Sequence, residues 1–473
     1  MKTTTGSVKC RKLSKKDYMQ KVGSANQEYA RRHVEMRMDE SDGTVNITMD
    51  NSENLLDRVL NPKNLNAAYL KVKKNNGAGG VDQMSVDDLF DYLQEHQDDL
   101  RGALMEGYYK PNPVRRVEIP KDEPGKYRML GIPTVVDRVV QQAIAQVLTP
   151  IYEYAFSEYS YGFRPGRDCH MALRQVQEYA NEGYVYVADI DLAKYFDSVS
   201  HSKMIQVLSD TIKDGRLISL VNKYLKAGAW EGGMFKRTEE GVPQGGPLSP
   251  LLGNVNLNVL DQELERRGHK FVRYADDLLI LCRSEKAARR TMDSITKFIE
   301  GKLFLTVNQV KSKVVHLKDV KYLGYGFFFK KGECRLKVHP KSIEKFKKKR
   351  LGDVLKRDNT SDKVRTVLWS QKVKGWINYF KLADMKSMLA HLEGWCRRHI
   401  RMICWRHWKR VRTRYKMLKS LGVKGERLHE LANMRCGPWR AAMMLNTVLT
   451  NKVLIHIGYI SMSDYYDKVR IHY

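Results

Sequence analysis

Phe271-Val272-Arg273-Tyr274-Ala275-Asp276-Asp277-Leu278-Leu279-Ile280-Leu281-Cys282 is the stretch on which the reading of this chain turns. Two short apolar runs flank a pair of adjacent aspartates, and Asp is at home in turns while the flanks suit buried strands. Strand, tight turn, strand is the expected local structure, with two carboxylates presented at the edge of a sheet. Acids this close raise each other's pKa unless a cation neutralises them, and oxygen-only ligands favour Mg²⁺. An exposed acidic hairpin turn explains these four residues equally well. The choice depends on whether a third carboxylate and a phosphate-handling apparatus occur elsewhere.

A third carboxylate is available. Tyr184-Val185-Tyr186-Val187-Ala188-Asp189-Ile190-Asp191-Leu192 reads as a buried strand that becomes acidic at its C-terminal end, and Asp197 follows in Lys194-Tyr195-Phe196-Asp197-Ser198. Placed beside the 271–282 hairpin, this strand lets Asp189 or Asp191 join Asp276 and Asp277. Three carboxylates around two metals suit in-line phosphoryl transfer, where metal lowers the pKa of an attacking hydroxyl and stabilises the leaving oxygen. Between the two acidic elements stands Glu240-Gly241-Val242-Pro243-Gln244-Gly245-Gly246-Pro247. Its glycines let a backbone approach a nucleotide closely, and Gln244 can hydrogen-bond sugar or base.

Composition points the same way. The 473 residues carry a formal net charge of +29, which calls for a polyanionic partner. Residues 331–425 alone hold 28 Lys and Arg against 7 Asp and Glu, so most of the excess sits in one region and favours nucleic acid. The seven cysteines form no CxxC pair, which argues against zinc knuckles and a disulfide framework. No run of 18 apolar residues occurs, so no membrane partner is expected. The N-terminus lacks the apolar core of a secretion signal; its first 30 residues are basic and polar. An intracellular, bacterial cytoplasmic or nucleoid-associated protein is the expectation, with an organellar address left open.

Along the chain, residues 1–55 read as a polar arm. Order begins near Leu55, where apolar residues recur at helical spacing, and a helical stretch ends about Met105 after the loop Asn75-Asn76-Gly77-Ala78-Gly79-Gly80. Strands follow at 114–120 and 127–130 across a turn at Asp122-Glu123-Pro124-Gly125, then a helix from Asp137 to about Leu148. Strands and helices alternate between 183 and 282. A β-ribbon is expected near 325–338, and helix almost throughout from about 340. The class is α+β, a sheet layer backed by helices.

The order strand-Asp, Pro243-Gln244-Gly245-Gly246, Tyr274-Ala275-Asp276-Asp277 resembles that of reverse transcriptases. The wider set resembles the group II intron-encoded reverse transcriptase/maturases of the compact bacterial kind. It includes Gly77-Ala78-Gly79-Gly80-Val81-Asp82, Leu130-Gly131-Ile132-Pro133, Tyr161-Gly162-Phe163-Arg164-Pro165-Gly166-Arg167, Leu305-Thr306-Val307-Asn308 ahead of Lys311-Ser312, and Gly375-Trp376-Ile377-Asn378-Tyr379-Phe380. The resemblance implies a right-hand polymerase with an antiparallel palm sheet and a mainly helical thumb/maturase domain. The expected segments are the arm 1–55, N-terminal extension and fingers 56–155, palm with remaining fingers elements 156–330, thumb/maturase 331–425 and a helical C-terminal segment 426–473. It implies an RNA-directed DNA polymerase that assists splicing of its intron RNA and copies it during retrohoming. The rival readings are an RNA-binding maturase without polymerase activity, and a domesticated enzyme in defence or DNA repair.

Residue roles follow from the same resemblance. Two Mg²⁺ ions, for which Mn²⁺ can substitute, are implied on Asp191, Leu192, Asp276 and Asp277, with Asp189 structural. Lys311 is implied to protonate pyrophosphate, Lys121 and Arg128 to hold the dNTP triphosphate, Gln244 to line the nucleotide pocket, and Phe196 to exclude a 2′-hydroxyl. Leu392, Trp395, Cys396, His399, Ile400, Ile403 and Cys404 recur as a buried helical stripe. Opposite it lie Arg397, Arg398, Arg401, Arg406, Lys409, Arg410, Arg412 and Arg414, interleaved with Trp405, Trp408 and Tyr415, a face suited to structured RNA. The expected partners are intron RNA, RNA template, primer and target DNA, and dNTPs. A zinc-bearing C-terminal nuclease is not expected, since only His456 and His472 follow Cys436.

Overall fold

The computed structural model describes residues 37–38, 45–46, 54–120, 125, 127–356 and 360–470. Its strands are, in chain order, β1 (Arg37–Met38), β2 (Val45–Asn46), β3 (Val114–Pro120), β4 (Tyr127–Ile132), β5 (Tyr186–Ile190), β6 (Ala229–Glu231), β7 (Met234–Lys236), β8 (Lys270–Tyr274), β9 (Asp277–Cys282), β10 (Lys313–His316), β11 (Lys321–Tyr322), β12 (Tyr325–Lys330) and β13 (Glu333–Val338). They form four sheets. Their strand orders are β10-β5-β9-β8, β4-β3-β6-β7, β11-β12-β13 and β1-β2.

The acidic hairpin is as expected, β8 and β9 being joined by two residues. The ribbon near 325–338 is β12–β13, paired from Tyr325↔Val338 to Lys330↔Glu333. The helix expected over 137–148 runs instead over Val135–Glu153. Thr134 sets its start, accepting a hydrogen bond from Asp137 N, so Val135 and Val136 fall inside the first turn. Pro150 sits within the last turn without ending it. The short strands β6 and β7 were not anticipated. They close over the Gly232-Gly233 turn, where both glycines have positive φ, and β6 extends the β4-β3 sheet by pairing parallel with β3 at Val114↔Ala229 and Arg115↔Trp230.

Two compact units emerge from the contacts. One takes the chain up to Asp168, then Ala188–Ile280 and Arg289–Lys313; the other takes Cys169–Val187, Leu281–Ala288 and Val314–Tyr473. In the first, helices Val135–Glu153 and Ser249–Arg266 bury Ile144, Leu148, Leu257 and Leu264, with Phe271 of β8 fully buried. Each such side chain contributes about 1.5–3 kcal/mol through removal from water. In the second, the ring of Phe346 stacks on Trp376 at 4.4 Å, and Phe380 packs on Tyr325 at 4.9 Å. The 370s aromatic motif is therefore a core element of that unit.

Candidate active site

Asp191 directly follows β5, and Asp276 lies in the turn before Asp277 opens β9, the neighbour of β5 in the sheet. Three non-glycine residues at or near these elements hold positive φ. Ala275 in the turn has φ +58°, Lys194 after Asp191 has +48°, and Phe163 in the Tyr161–Arg167 motif has +58°. Non-glycine residues are held in this region only where surrounding structure over-determines them, and such residues concentrate at functional sites.

The environment of Asp191 comes from the Leu305–Ser312 segment. Ala193 N donates to Thr306 O at 2.8 Å and Asn308 N to Asp191 O at 2.8 Å, while Leu192, buried, bridges Val307. Ser312 Oγ accepts from Asp191 N at 3.0 Å. Asn308 Oδ1 caps the following turn, 3.2 and 3.3 Å from the amides of Val310 and Lys311. That turn brings Lys311 Nζ to 3.4 Å from Asp191 Oδ2. Burial pushes the Asp189 carboxyl up to about 6, Lys313 opposing the shift and Asp191 adding to it. Asp276 acts electrostatically on the buried Tyr195, whose hydroxyl donates to Gly253 O at 2.8 Å.

Among the described residues no three His, Cys, Asp or Glu side chains converge as a ready-made metal cluster, and Asp191 carries Lys311 as its counter-cation. The chemistry of the donors nevertheless suits a hard divalent ion: Asp191, Asp276 and Asp277 offer carboxylate oxygens from the ends of neighbouring strands, and Asp191 already draws a cation.

Phe196 and Gln244 line one cleft, together with Val114, Arg116, Met129, Gly131, Thr238 and Val242. The loop bearing Gln244 is tied to β4 by Gly131 N donating to Gln244 O at 2.7 Å. Phe196 stands edge-on to Tyr195 at 5.1 Å, against Gly253, where a Cβ would come 3.3 Å from its ring. Arg128, exposed and in register with Ile119, does not line this cleft; strand alternation puts it on the opposite face of β4 from Met129. Lys121 lies outside the described residues. Arg116 and Met129 were missed as lining residues because β3 and β4 read simply as strands.

The residues that hold the acidic turn were also missed. Arg273 is buried in β8, its Nε 2.7 Å from Asp261 Oδ1 and a second bond joining the same carboxylate. Its Nη1 donates to Asn254 Oδ1 at 3.0 Å and to Ala275 O at 2.9 Å. A charge inside an otherwise apolar strand is the sequence signal that a buried partner must exist. Alongside runs the Tyr159–Gly162 segment, with Arg273 N donating to Tyr159 O and Tyr161 N to Arg273 O, both at 2.9 Å. Arg164 fixes that segment from behind, its Nη2 2.7 Å from Glu153 Oε1 and its Nη1 2.8 Å from Ser160 O.

The basic helical face is divided. Arg406, Lys409, Arg410 and Arg412 are exposed. Arg401 is not part of that face: it is 6% exposed and its Nε donates to Leu449 O at 2.8 Å. Arg414 is half-buried, donating to Trp408 O at 2.9 Å and lying 3.9 Å over the Trp405 ring. Arg397 pairs with the buried Glu393 at 2.7 Å, and Arg398 lies 5.1 Å over Trp439. Trp405 and Trp408 are buried, so their faces serve packing and not base stacking. Arg401 fell outside the face because apolar spacing located one buried stripe, whereas helix Lys386–His407 is covered on more than one side, including by helix Pro438–Met444 and the 445–449 turn.

A palm-like sheet with a strand-end aspartate, an acidic two-residue hairpin and a Gln-Gly-Gly loop beside it defines a reverse transcriptase. A reverse transcriptase (RNA-dependent DNA polymerase) domain matches residues 119–327, and a group II intron, maturase-specific domain matches 343–422. Protein YkfC of Escherichia coli strain K12 is 36% identical over 268 residues, 49% of this chain and 68% of its own length. Group II intron-encoded protein LtrA of Lactococcus lactis subsp. cremoris is 29% identical over 384 residues, 67% of this chain and 62% of its own length. A putative COX1/OXI3 intron 2 protein of Saccharomyces cerevisiae is 29% identical over 54% of this chain and 36% of its own. The chain belongs to the group II intron reverse transcriptase/maturase family. No described helix is long and apolar enough to cross a membrane.

Proposed function

We propose that the protein is an RNA-directed DNA polymerase that binds a group II intron RNA, assists its splicing and copies it into target DNA, working in a bacterial cytoplasm or nucleoid. The observation that carries the reading is that Asp191, Asp276 and Asp277 stand at the ends of neighbouring strands, within one unit that also holds the Phe196–Gln244 cleft. Asp191, Asp276 and Asp277, with Leu192, would hold two Mg²⁺ ions, or Mn²⁺ in their place. Bound there, the metal supplies a lowered pKa for the primer 3′-hydroxyl and charge neutralisation at the α-phosphate. The chain's own residues do the rest. Gln244 and Arg116 orient the incoming dNTP in the cleft, and Phe196 stands under the sugar; Lys121 is the cation left to grip the triphosphate, since Arg128 lies on the other face of β4. Lys311, released from Asp191, carries a proton within reach of departing pyrophosphate. Primer extension on poly(rA)/oligo(dT) with Mg²⁺ tests the reading. A wild-type protein that bound structured RNA but extended nothing would replace it with an RNA-binding maturase.

Phe196→Ala should lower discrimination against ribonucleotides by roughly one to two orders of magnitude, through loss of the clash with a 2′-hydroxyl. Deoxynucleotide incorporation should change only a few-fold. Single-nucleotide kcat/KM for dNTP and rNTP decides it: equal losses on both would make Phe196 a packing residue.

RNA binding is assigned to Arg406, Lys409, Arg410 and Arg412, the cations that stand exposed at the 406–412 junction. Replacing all four by Ala should weaken binding to structured RNA and reduce the slope of log K against log salt by roughly 3. Arg401→Ala should instead lower the melting temperature, since it leaves Leu449 O without its buried donor. A salt slope unchanged in the quadruple variant would move the RNA contact elsewhere.

A further inference from the structure

The Arg273 guanidinium is the most heavily committed polar group beside the acidic turn. It is 1% exposed, and Asp261 and Asn254, on helix Ser249–Arg266, are equally buried. Three of its bonds anchor it to that helix, two to Asp261 and one to Asn254, and a fourth runs to Ala275 O at 2.9 Å, in the turn itself. Asn254 in turn donates from Nδ2 to Gly162 O at 2.8 Å, so the same side chain anchors the segment running alongside β8.

Stability alone is a poor account of this arrangement. Removing two charges from water costs several kcal/mol per ion, and a well-packed apolar pair of similar volume serves a core as well or better. A buried guanidinium offers instead geometry: a planar fork with five donors, able to grip a carboxylate with two while a third points elsewhere at a fixed angle. Here the third points at the carbonyl of Ala275, the residue held at φ +58° immediately before Asp276. A left-handed alanine relaxes unless something holds its peptide, and the Arg273 bond supplies that hold.

We propose that Arg273, fixed by Asp261 and Asn254, is a positioning residue that sets the Asp276–Asp277 turn at the height required for metal binding. It touches neither metal nor nucleotide and acts only through the Ala275 carbonyl. The proposal rests on reading Asp276 and Asp277 as metal ligands. Lysine carries the same charge but cannot reach Asp261 bidentately and Ala275 O together, so Arg273→Lys separates charge from geometry.

The test is Mn²⁺ binding by the full chain, read from the loss of the free-ion EPR signal, beside primer extension across a Mg²⁺ titration. For Arg273→Lys the expected result is a roughly tenfold rise in both the Mn²⁺ dissociation constant and the Mg²⁺ half-saturation, the scale of one lost charge-assisted hydrogen bond. The dNTP KM should stay within a few-fold, and high Mg²⁺ should restore much of the rate. Asn254→Ala, which keeps the Arg273–Asp261 pair, provides the readout if Arg273→Lys fails to fold; its expected shift is in the same direction and smaller. A folded Arg273→Lys or Asn254→Ala protein with wild-type Mn²⁺ and Mg²⁺ dependence overturns the proposal, provided Asp276→Asn/Asp277→Asn loses Mn²⁺. If that double variant keeps its Mn²⁺, the metal-site reading falls first and takes the proposal with it.

Discussion

Asp276→Asn/Asp277→Asn should reduce primer extension by at least about a thousandfold while leaving the protein folded. The size follows from the work assigned to the carboxylates: without them the metal-supplied stabilisation of the developing charge, several kcal/mol, is lost, and each 1.36 kcal/mol is a factor of ten. Folding should survive because Asp277 is exposed, Asp276 is half-buried, and Asn is nearly isosteric with Asp and tolerates turn geometry. Removing two like charges from one turn also relieves repulsion, so the melting temperature should hold or rise slightly. Circular dichroism melting, with extension of poly(rA)/oligo(dT) in Mg²⁺ and Mn²⁺, checks both halves. Residual activity within tenfold of wild type would mean that other carboxylates do the chemistry.

Much of the frame that carries this site was legible in the residues. The acidic hairpin announces itself through two apolar flanks around Asp276-Asp277, and β5 through an apolar run that turns acidic at Asp189 and Asp191. What stayed hidden depends on partners distant in sequence. Arg273 signals a buried partner without naming it until Asp261, twelve positions earlier on a helix, is placed beneath it. Arg401 looks like a member of a basic face until Leu449 O is found at its Nε. The β6–β7 pair is three residues a side, too short for periodicity, and exists because β3 offers an edge for β6. Helix Val135–Glu153 begins two residues before the expected Asp137 because the capping oxygen of Thr134 sets its first turn.

Gly162→Ala should be among the most damaging single-methyl additions in this protein. A Cβ at Gly162 would overlap the backbone nitrogen of Ala275 and lie 3.0 Å from the carbonyl carbon of Tyr274 and 3.1 Å from Ala275 Cα. All three are main-chain atoms of the acidic turn, so no side chain can swing aside. The φ of Gly162 is not in the left-handed region, so the conflict is one of space and not of torsion. Relief requires the 159–162 segment and β8 to part, which loosens the bonds between Tyr161 N and Arg273 O and between Arg273 N and Tyr159 O. It also pulls on Asn254, whose amide is bonded to Gly162 O. Overpacking of this kind destabilises by about 1–3 kcal/mol or more. The catalytic loss should be larger, about a hundredfold, because a carboxylate displaced by about 1 Å no longer meets its reacting geometry. Gly394→Ala is the internal control: Gly394 lies in helix Lys386–His407 with nothing within 4 Å of a new Cβ, and the change should stabilise by about 0.5–1 kcal/mol without touching activity. Thermal melting and single-turnover extension on both variants decide it. A Gly162→Ala enzyme that melts and extends like wild type would show that the turn does not depend on the backbone of the 159–162 segment lying against it.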